Sequence, residues 1–173
     1  MAAASQPAFV PVEVYLRSSY EPDAEYVDGV IEERPMGEND HSSWQLALQH
    51  WFRLHAKEWG IRVRPELRVQ VSKSRFRVPD VAILDRNLLV EQIVTHPPIA
   101  VIEVLSPEDS LNRMIAKLAD YEQMGIQTIL VLDPNGRHFR YCRGGLESLP
   151  PQPFDLAGST ARFDLTEIEK LLD

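Results

Sequence analysis

Apolar and polar positions recur along this chain with two different periods, which divide it into helices and strands. Between residues 41 and 59 the apolar side chains return every three or four positions, as on one face of an amphipathic helix, and Gly60 is suited to end that helix. Residues 78–84, 99–105 and 128–133 are short and almost continuously apolar, which is typical of strands buried on both faces of a sheet.

A second long helix is predicted between the last two of these strands. Ser106 and Pro107, followed by two acidic residues, have the composition of a helix start, and the apolar spacing continues to Met124, where Gly125 favours a C-terminal cap. Because strand, helix and strand follow one another across residues 99–133, the two strands are expected to be parallel.

The N-terminal half is predicted to add a hairpin and a further strand. Asp28 and Gly29, a pair that favours a tight turn, lie between β-forming residues in the segment 25–33. Residues 62–71 alternate apolar and charged side chains as a half-buried strand does, and 72–77 form a basic turn.

Taken in order, these elements predict one domain over residues 1–173. Its fold class is α/β (α+β), with a mixed β-sheet core flanked by helices and an N-terminal hairpin. Residues 1–11 are expected to be a loose tail. Residues 144–162 form a connector that contains several prolines, and 163–173 form a C-terminal helix.

Composition places the chain among soluble globular proteins. Hydrophobic residues make up 44% of the 173 residues, and no apolar run reaches the roughly 18 residues that a membrane span needs. No secretory leader is expected, because the N-terminus lacks a basic region followed by an apolar one. Cys142 is the single cysteine, which excludes an internal disulfide and a cysteine zinc cluster, so a reducing cytoplasm fits best.

The charge balance argues against a protein that coats nucleic acid. The formal net charge is -8 at pH 7, whereas such proteins are usually basic. A nuclease is still compatible with this charge, since carboxylates that hold metal ions add to the negative total and a local basic segment can contact phosphates.

Two acidic residues interrupt otherwise apolar strands. Asp80 follows Pro79, and Glu103 lies in the middle of the segment 99–105. A carboxylate inside a buried strand is costly unless a cation faces it, and Mg²⁺ takes one or two protein carboxylates together with water and phosphate oxygens. The alternative is that each acid pairs with a nearby arginine, such as Arg75 or Arg77, and is purely structural.

Lys117 lies one helix later, at the border of the apolar face and beside Arg113. If it points back toward the strand end, its ammonium group could orient a water molecule or stabilise negative charge that develops on a phosphate. The alternative is an ordinary solvated helix lysine.

In order and spacing these residues resemble the core of the PD-(D/E)XK nuclease superfamily. The matching segments are Val78-Pro79-Asp80-Val81, Ile102-Glu103-Val104-Leu105-Ser106-Pro107 and Lys117. The chain departs from the usual pattern, because Leu105 stands where the superfamily lysine would follow the Glu. It is more similar to a large bacterial family of restriction-endonuclease-like proteins, in which that lysine has moved to the following helix.

Further landmarks of that family extend the resemblance over roughly residues 12 to 143. They are the hairpin over 26–32, His41 at a helix entry, Tyr121, Gly125 and the segment 131–134. The resemblance implies that Asp80 and Glu103 bind Mg²⁺ (or Mn²⁺) and that Lys117 is catalytic.

Several other residues are candidates for the same site. His41 either takes part in metal or proton chemistry or packs at the helix start. An additional acid could come from Glu25, Glu32 or Glu33 of the hairpin, or from Glu66, whereas a turn role is expected for Asp28. Candidate substrate contacts are basic residues before Asp80 and residues of the helix that carries Lys117: Lys73, Arg75, Arg77, Arg113 and Tyr121.

The sequence therefore predicts metal-dependent hydrolysis of DNA phosphodiester bonds. A homodimer would suit the cutting of both strands of a duplex. Two alternatives stay open: a catalytically silent nuclease fold that serves as a binding or dimerising module, and a hydrolase that acts on another phosphoester.

Overall fold

A computed structural model describes residues 8–21, 23–35 and 37–172. The helices are α1 Val12–Arg17, α2 Asn39–His55, α3 Leu111–Met124 and α4 Leu165–Glu169. The strands are β1 Ala24–Val27, β2 Val30–Glu33, β3 Ile61–Pro65, β4 Val69–Ser72, β5 Arg75–Arg77, β6 Val81–Asp85, β7 Ala100–Val104, β8 Thr128–Asp133, β9 Arg137–Cys142, β10 Gly145–Ser148, β11 Phe154–Asp155 and β12 Arg162–Phe163.

The centre of the fold is a mixed sheet of six strands in the order β10-β9-β8-β7-β6-β3. Strands β7 and β8 run parallel, as predicted from the strand–helix–strand order, and the other neighbours are antiparallel. A smaller sheet in the order β2-β1-β5-β4 contains the predicted hairpin, in which Val27 pairs with Val30 around the Asp28–Gly29 turn. The predicted fold class, a mixed sheet with helices and an N-terminal hairpin, is thus confirmed.

Helices α2 and α3 cover opposite faces of the central sheet. Alternate residues of a strand point to opposite faces, so Ile102 packs with the α2 residues Leu48 and Phe52, whereas Val101 packs with Leu118 of α3. Burial on both faces explains why β7 and β8 are apolar at almost every position.

The predicted strand over 62–71 is wrong in its extent, because the chain changes sheets within it. Strand β3 pairs with β6 in the central sheet, and β4 pairs with β5 in the smaller one. The break falls at Glu66, whose φ of 48° is unusual for a residue other than glycine. The predicted basic turn over 72–77 is likewise wrong in part, since Arg75 to Arg77 are paired as β5.

Helix α3 begins later than its start signal suggests. The Asp109 side chain accepts a hydrogen bond from the Ser106 backbone N–H at 2.7 Å, and the Asp109 N–H donates to the Ser106 carbonyl at 3.0 Å. This separate turn delays the helix to Leu111. Its predicted end is confirmed by Gly125, which has a φ of 97°.

The terminal regions are more ordered than the pattern predicted. Within the expected connector 144–162 lie β10 and the short β11–β12 hairpin, and the expected C-terminal helix over 163–173 is limited to α4. Part of the expected tail over 1–11 is attached, because the Val10 N–H donates to the Gly29 carbonyl at 2.8 Å. Residues 1–7 of that tail lie outside the described residues.

Across residues 8–21, 23–35 and 37–172, none of the helices is both long enough and apolar enough to span a lipid bilayer.

Candidate active site

Asp80 and Glu103 lie side by side where β6 begins and β7 ends. Asp80 comes directly before Val81, which pairs with Ile102, the neighbour of Glu103. One Asp80 oxygen, Oδ2, accepts a hydrogen bond from the Val104 backbone N–H at 2.7 Å. Both acids are almost fully buried, with 3% and 2% exposure. The two acids that the resemblance assigns to one metal ion therefore lie on neighbouring strands.

Lys117 points from α3 back onto these strands. Its Nζ lies 2.9 Å from Glu103 Oε2 and 2.9 Å from Glu25 Oε1, and it donates to the Val78 carbonyl at 3.0 Å. The side chain is buried, which excludes the alternative of a solvated helix lysine. Neighbouring carboxylates raise the pKa of Lys117 against the opposing effect of burial, so the lysine is held as a cation.

Tyr121 lies one turn further along α3 and holds the other oxygen of Glu103. Its hydroxyl donates to Oε1 at 2.7 Å, and burial together with the nearby carboxylates raises the pKa of Tyr121 well above its usual value. The ring has no exposed surface. Its prediction as a substrate contact is therefore wrong, because the hydroxyl is enclosed and committed to Glu103.

His41 and Arg34 both face Asp80. His41 Nε2 lies 3.3 Å from Oδ2, and the Arg34 guanidinium donates to Oδ1 at 2.5 Å. Burial disfavours the charged form of Asp80, but the contacts with His41, Lys117 and Arg34 outweigh burial and lower its pKa. The hydrogen bond with Asp80 in turn raises the pKa of His41, although burial opposes this.

Arg34 was not singled out from the sequence. It follows a run of hairpin acids and looks like an ordinary solvated charge, and the local pattern does not show that it turns inward. The only available signal was that two buried strand acids need cations, which directs attention to every nearby arginine.

Among the hairpin acids, the structure brings Glu25 and Glu32 to the cleft, and Glu25 is the one that contacts Lys117. Its side chain is buried, and Oε1 accepts from the Val78 N–H at 3.0 Å while Oε2 accepts from Arg77 at 2.8 Å. Burial opposes ionisation of Glu25, but Lys117 and Arg77 outweigh that effect and lower its pKa. The sequence did not separate Glu25 from its neighbours in the hairpin, since strand alternation is obscured where both faces are buried.

The predicted turn role of Asp28 agrees with the structure. Its carboxylate accepts hydrogen bonds from Ser74 and from Arg75 at the tip of the neighbouring hairpin, and its φ of 48° lies in the left-handed region. Asp28 therefore joins two turns of the smaller sheet and lies apart from the acids around Lys117.

Arg77 is a structural residue, and its prediction as a substrate contact needs correction. The side chain is 3% exposed and lies within 3.1 Å of carboxylate oxygens of Glu25, Glu32 and Asp120. Burial lowers its pKa, but these acids outweigh burial and raise it. The sequence alternative, in which each acid pairs with a nearby arginine, agrees with the structure for Asp80, which binds Arg34, whereas Arg75 and Arg77 bind other acids.

The remaining predicted substrate contacts are partly accessible. Lys73 is exposed at the β4–β5 turn. Arg75, with 36% of its side chain exposed, is held by Asp28 and Asp120. The side chain of Arg113 is 49% exposed at the cleft and donates to the Glu33 carbonyl at 3.0 Å.

A cleft of about 60 Å³ opens above Lys117. Its inner wall carries Glu25, Asp80 and Glu103, and its rim carries Glu108, Asp109, Ser110 and Arg113. A space of this size has room for an ion with water molecules.

Glu103 differs from the other buried acids of this cleft, Glu25 and Asp80, whose pKa values are lowered. Burial raises its pKa to about 7, and the charges of Asp80 and Glu25 add to this effect against the opposing effect of Lys117. The excess negative charge would be relieved by a bound cation.

The donor set of Asp80 and Glu103 fits Mg²⁺. Carboxylate oxygens are its preferred protein ligands, and one or two of them suffice when water and phosphate complete the shell. Within the described parts of the chain, no group of three or more His, Cys, Asp or Glu side chains is arranged to hold a metal ion. At the Asp80–Glu103 pair, water and phosphate oxygens would complete the shell of an ion.

The chain is similar to known proteins over most of its length. A family model described as "Uma2: Putative restriction endonuclease" matches residues 12–166. A solved structure described as a putative nuclease belonging to DUF820 from Anabaena variabilis ATCC 29413 is similar over 95% of this chain and 99% of that chain. The TM-score is 0.79 and the identity 22%, so this likeness shows the fold.

A second solved structure, a DrdV–DNA complex, is similar over 76% of this chain and 11% of that chain. Its TM-score of 0.43 and identity of 20% are too low to support an argument. A search of curated proteins finds no match.

Proposed function

Since this chain belongs to the Uma2 family of restriction-endonuclease-like proteins, we propose that it is a divalent-cation-dependent nuclease that hydrolyses phosphodiester bonds of DNA. The observation that carries the proposal is the position of Lys117, buried on Glu103 at the base of a cleft and beside Asp80. This is the arrangement expected if the superfamily lysine is supplied from the helix.

Asp80 and Glu103 are proposed to hold Mg²⁺ or Mn²⁺. When bound there, the ion would lower the pKa of a water molecule and neutralise charge on the scissile phosphate. His41, whose ring lies 3.3 Å from Asp80 Oδ2, helps to hold that carboxylate in place.

Lys117 is proposed to orient the attacking water or to stabilise charge that develops on the phosphate. Three acceptors fix its Nζ: two carboxylates and the Val78 carbonyl. A cation held in place before the reaction needs little reorganisation to stabilise such charge, whereas orienting a water would require one of these three contacts to open.

DNA is the proposed substrate because the family description names restriction endonucleases. Arg113 at the cleft rim and Lys73 on the β4–β5 turn are accessible cations that suit phosphate contacts. The acidic character of the whole chain predicts that binding depends on these local charges and weakens as salt is added.

The test is cleavage of supercoiled plasmid and of single-stranded DNA with Mg²⁺ or Mn²⁺. Asp80→Ala and Lys117→Ala are each expected to slow cutting by about a hundredfold or more. Lys170→Ala, which removes an exposed lysine at the end of α4, should cut like the wild type. Cutting that persists in Asp80→Ala would disprove the assignment.

A catalytically silent binding module is the second candidate, and one observation favours it. Each oxygen of Asp80 and Glu103 already has a donor from the protein itself, namely Arg34, His41, Val104, Lys117 or Tyr121. Such a module should show no rise in melting temperature with Mg²⁺ or Mn²⁺, whereas a protein that binds the ion in its folded state should.

A further inference from the structure

Arg34 occupies the carboxylate oxygen that a cation at Asp80 would need. The residue follows directly after β2, and only 13% of its side chain is exposed. Its Nη2 lies 2.5 Å from Asp80 Oδ1. The other oxygen, Oδ2, accepts a hydrogen bond from the Val104 N–H and lies 3.3 Å from His41 Nε2. An added ion could therefore bind Oδ1, provided that the guanidinium moves away.

An arginine cannot leave such a position by losing its proton, because a guanidinium stays charged in proteins. It must move, and a buried cation without a carboxylate partner is costly. The structure offers a second partner within reach, since Arg34 Nη1 lies 3.4 Å from Glu66 Oε1.

Glu66 is held close to Asp80 by its backbone. Its N–H donates to the Asp80 carbonyl at 3.4 Å, and Gln45 Nε2 donates to the same carbonyl at 3.0 Å and lies 3.5 Å from Glu66 Oε1. The left-handed φ of 48° places this residue at the point where the chain leaves the central sheet. Half of its side chain is exposed, so it offers a charged partner on the solvent side of Arg34.

We propose that Arg34 competes with the divalent cation for Asp80, and that Glu66 holds the arginine when the ion binds. This inference rests on the proposed function, because it presupposes a cation at Asp80. It assigns two residues that control cation affinity without being ligands: Arg34 lowers the affinity and Glu66 restores part of it.

The experiment is a calorimetric titration of the full chain with Mn²⁺ in the absence of DNA. Arg34→Gln should bind Mn²⁺ about tenfold more tightly than the wild type, since a charge-assisted contact that opposes binding is removed. Glu66→Gln should bind several-fold more weakly. Arg86→Gln removes the same charge from an exposed loop and should change the affinity less than about twofold.

Opposite shifts in the two variants are the signature of the competition. If Arg34→Gln binds Mn²⁺ no more tightly than the wild type, the inference is overturned. Glu66→Gln, an exposed substitution that should fold normally, tests it independently if Arg34→Gln does not fold, and an unchanged or higher affinity in that variant also overturns it.

Asp80→Asn separates this inference from the proposed function. If wild type and Arg34→Gln both bind no Mn²⁺, or if Asp80→Asn binds it as well as the wild type, the cation site itself is wrong and both proposals fall. If Asp80→Asn loses the ion and Arg34→Gln leaves the affinity unchanged, only the competition is wrong.

Discussion

Asp120 and Glu103 are two buried carboxylates with different partners. Asp120 is 3% exposed and each of its oxygens is bound by an arginine, Oδ1 by Arg75 and Oδ2 by Arg77. Glu103 is 2% exposed, but it has one cation, Lys117, which it shares with Glu25.

Burial therefore does not distinguish a structural acid from a candidate catalytic one. Asp120 joins α3 to β5 and is absent from the described residues that line the cleft, whereas Glu103 lies at its base. What differs is the number of cations on each carboxylate: Asp120 contacts two arginines, whereas Glu103 contacts one lysine, which also contacts Glu25.

The largest effect on stability is expected from Asp120→Asn, which sharpens this difference. The change weakens two charge-assisted hydrogen bonds, one from Arg75 and one from Arg77, which together contribute about 3–5 kcal/mol. Urea unfolding measures the loss, with Asp155→Asn on the exposed strand β11 as the control. A loss below about 1 kcal/mol would show that Asp120 is not a structural tie.

Glu103→Gln is expected to raise the free energy of unfolding at alkaline pH, whereas Asp120→Asn lowers it. The folded-state pKa of Glu103 is about 7, above its ordinary value of 4.5, so the folded protein binds the extra proton between these pH values. The free energy of unfolding of the wild type, measured without metal ions, should fall by roughly 3 kcal/mol as pH rises through that window. The variant lacks this loss and should be the more stable protein at pH 8.

His41 provides the control for that pH dependence. Its pKa is also raised, by its hydrogen bond with Asp80, so the stability it contributes is present at low pH and lost as pH rises through its folded-state pKa. His41→Gln should remove only the pH-dependent stability that His41 contributes, and Glu103→Gln should retain that contribution. If Glu103→Gln follows the same pH curve as the wild type, Glu103 does not carry the excess charge.

The smallest effect is expected from Tyr121→Phe. The variant keeps the packed ring but loses one hydrogen bond to Glu103, and this loss should lower the free energy of unfolding by about 1–2 kcal/mol. It should also raise the pKa of Glu103, because a donor to the carboxylate is removed. Tyr20→Phe, at a partly exposed position, is the control for urea unfolding. A loss as large as that of Asp120→Asn would mean that the two regions differ less than their charges suggest.

Much of the fold was predictable because strong local patterns agree with the tertiary structure. The Asp28–Gly29 turn, the apolar strands β7 and β8 and the Gly125 cap are each determined within a few residues of sequence. The break between β3 and β4, strand β5 and the β11–β12 hairpin were missed, because short strands with few apolar residues owe their pairing to distant neighbours.

The candidate site shows the same limit. Asp80 and Glu103 stood out because a carboxylate inside an apolar strand needs a partner, and Lys117 stood out through the family resemblance. Their catalytic roles stay predictions. Arg77 was predicted to contact the substrate but binds three acids instead. The local sequence of a basic residue near a strand end does not show whether it faces solvent or buried acids.

By itself, the sequence determined which residues are apolar, where turns must form and which acids cannot be solvated, because these properties depend on each side chain and its nearest neighbours. Only the tertiary structure decided how the charges are shared: Arg34 with Asp80, Arg77 with Asp120 and Glu25, and Lys117 with Glu103. Buried charges find partners through space, and strands distant in sequence bring those partners together.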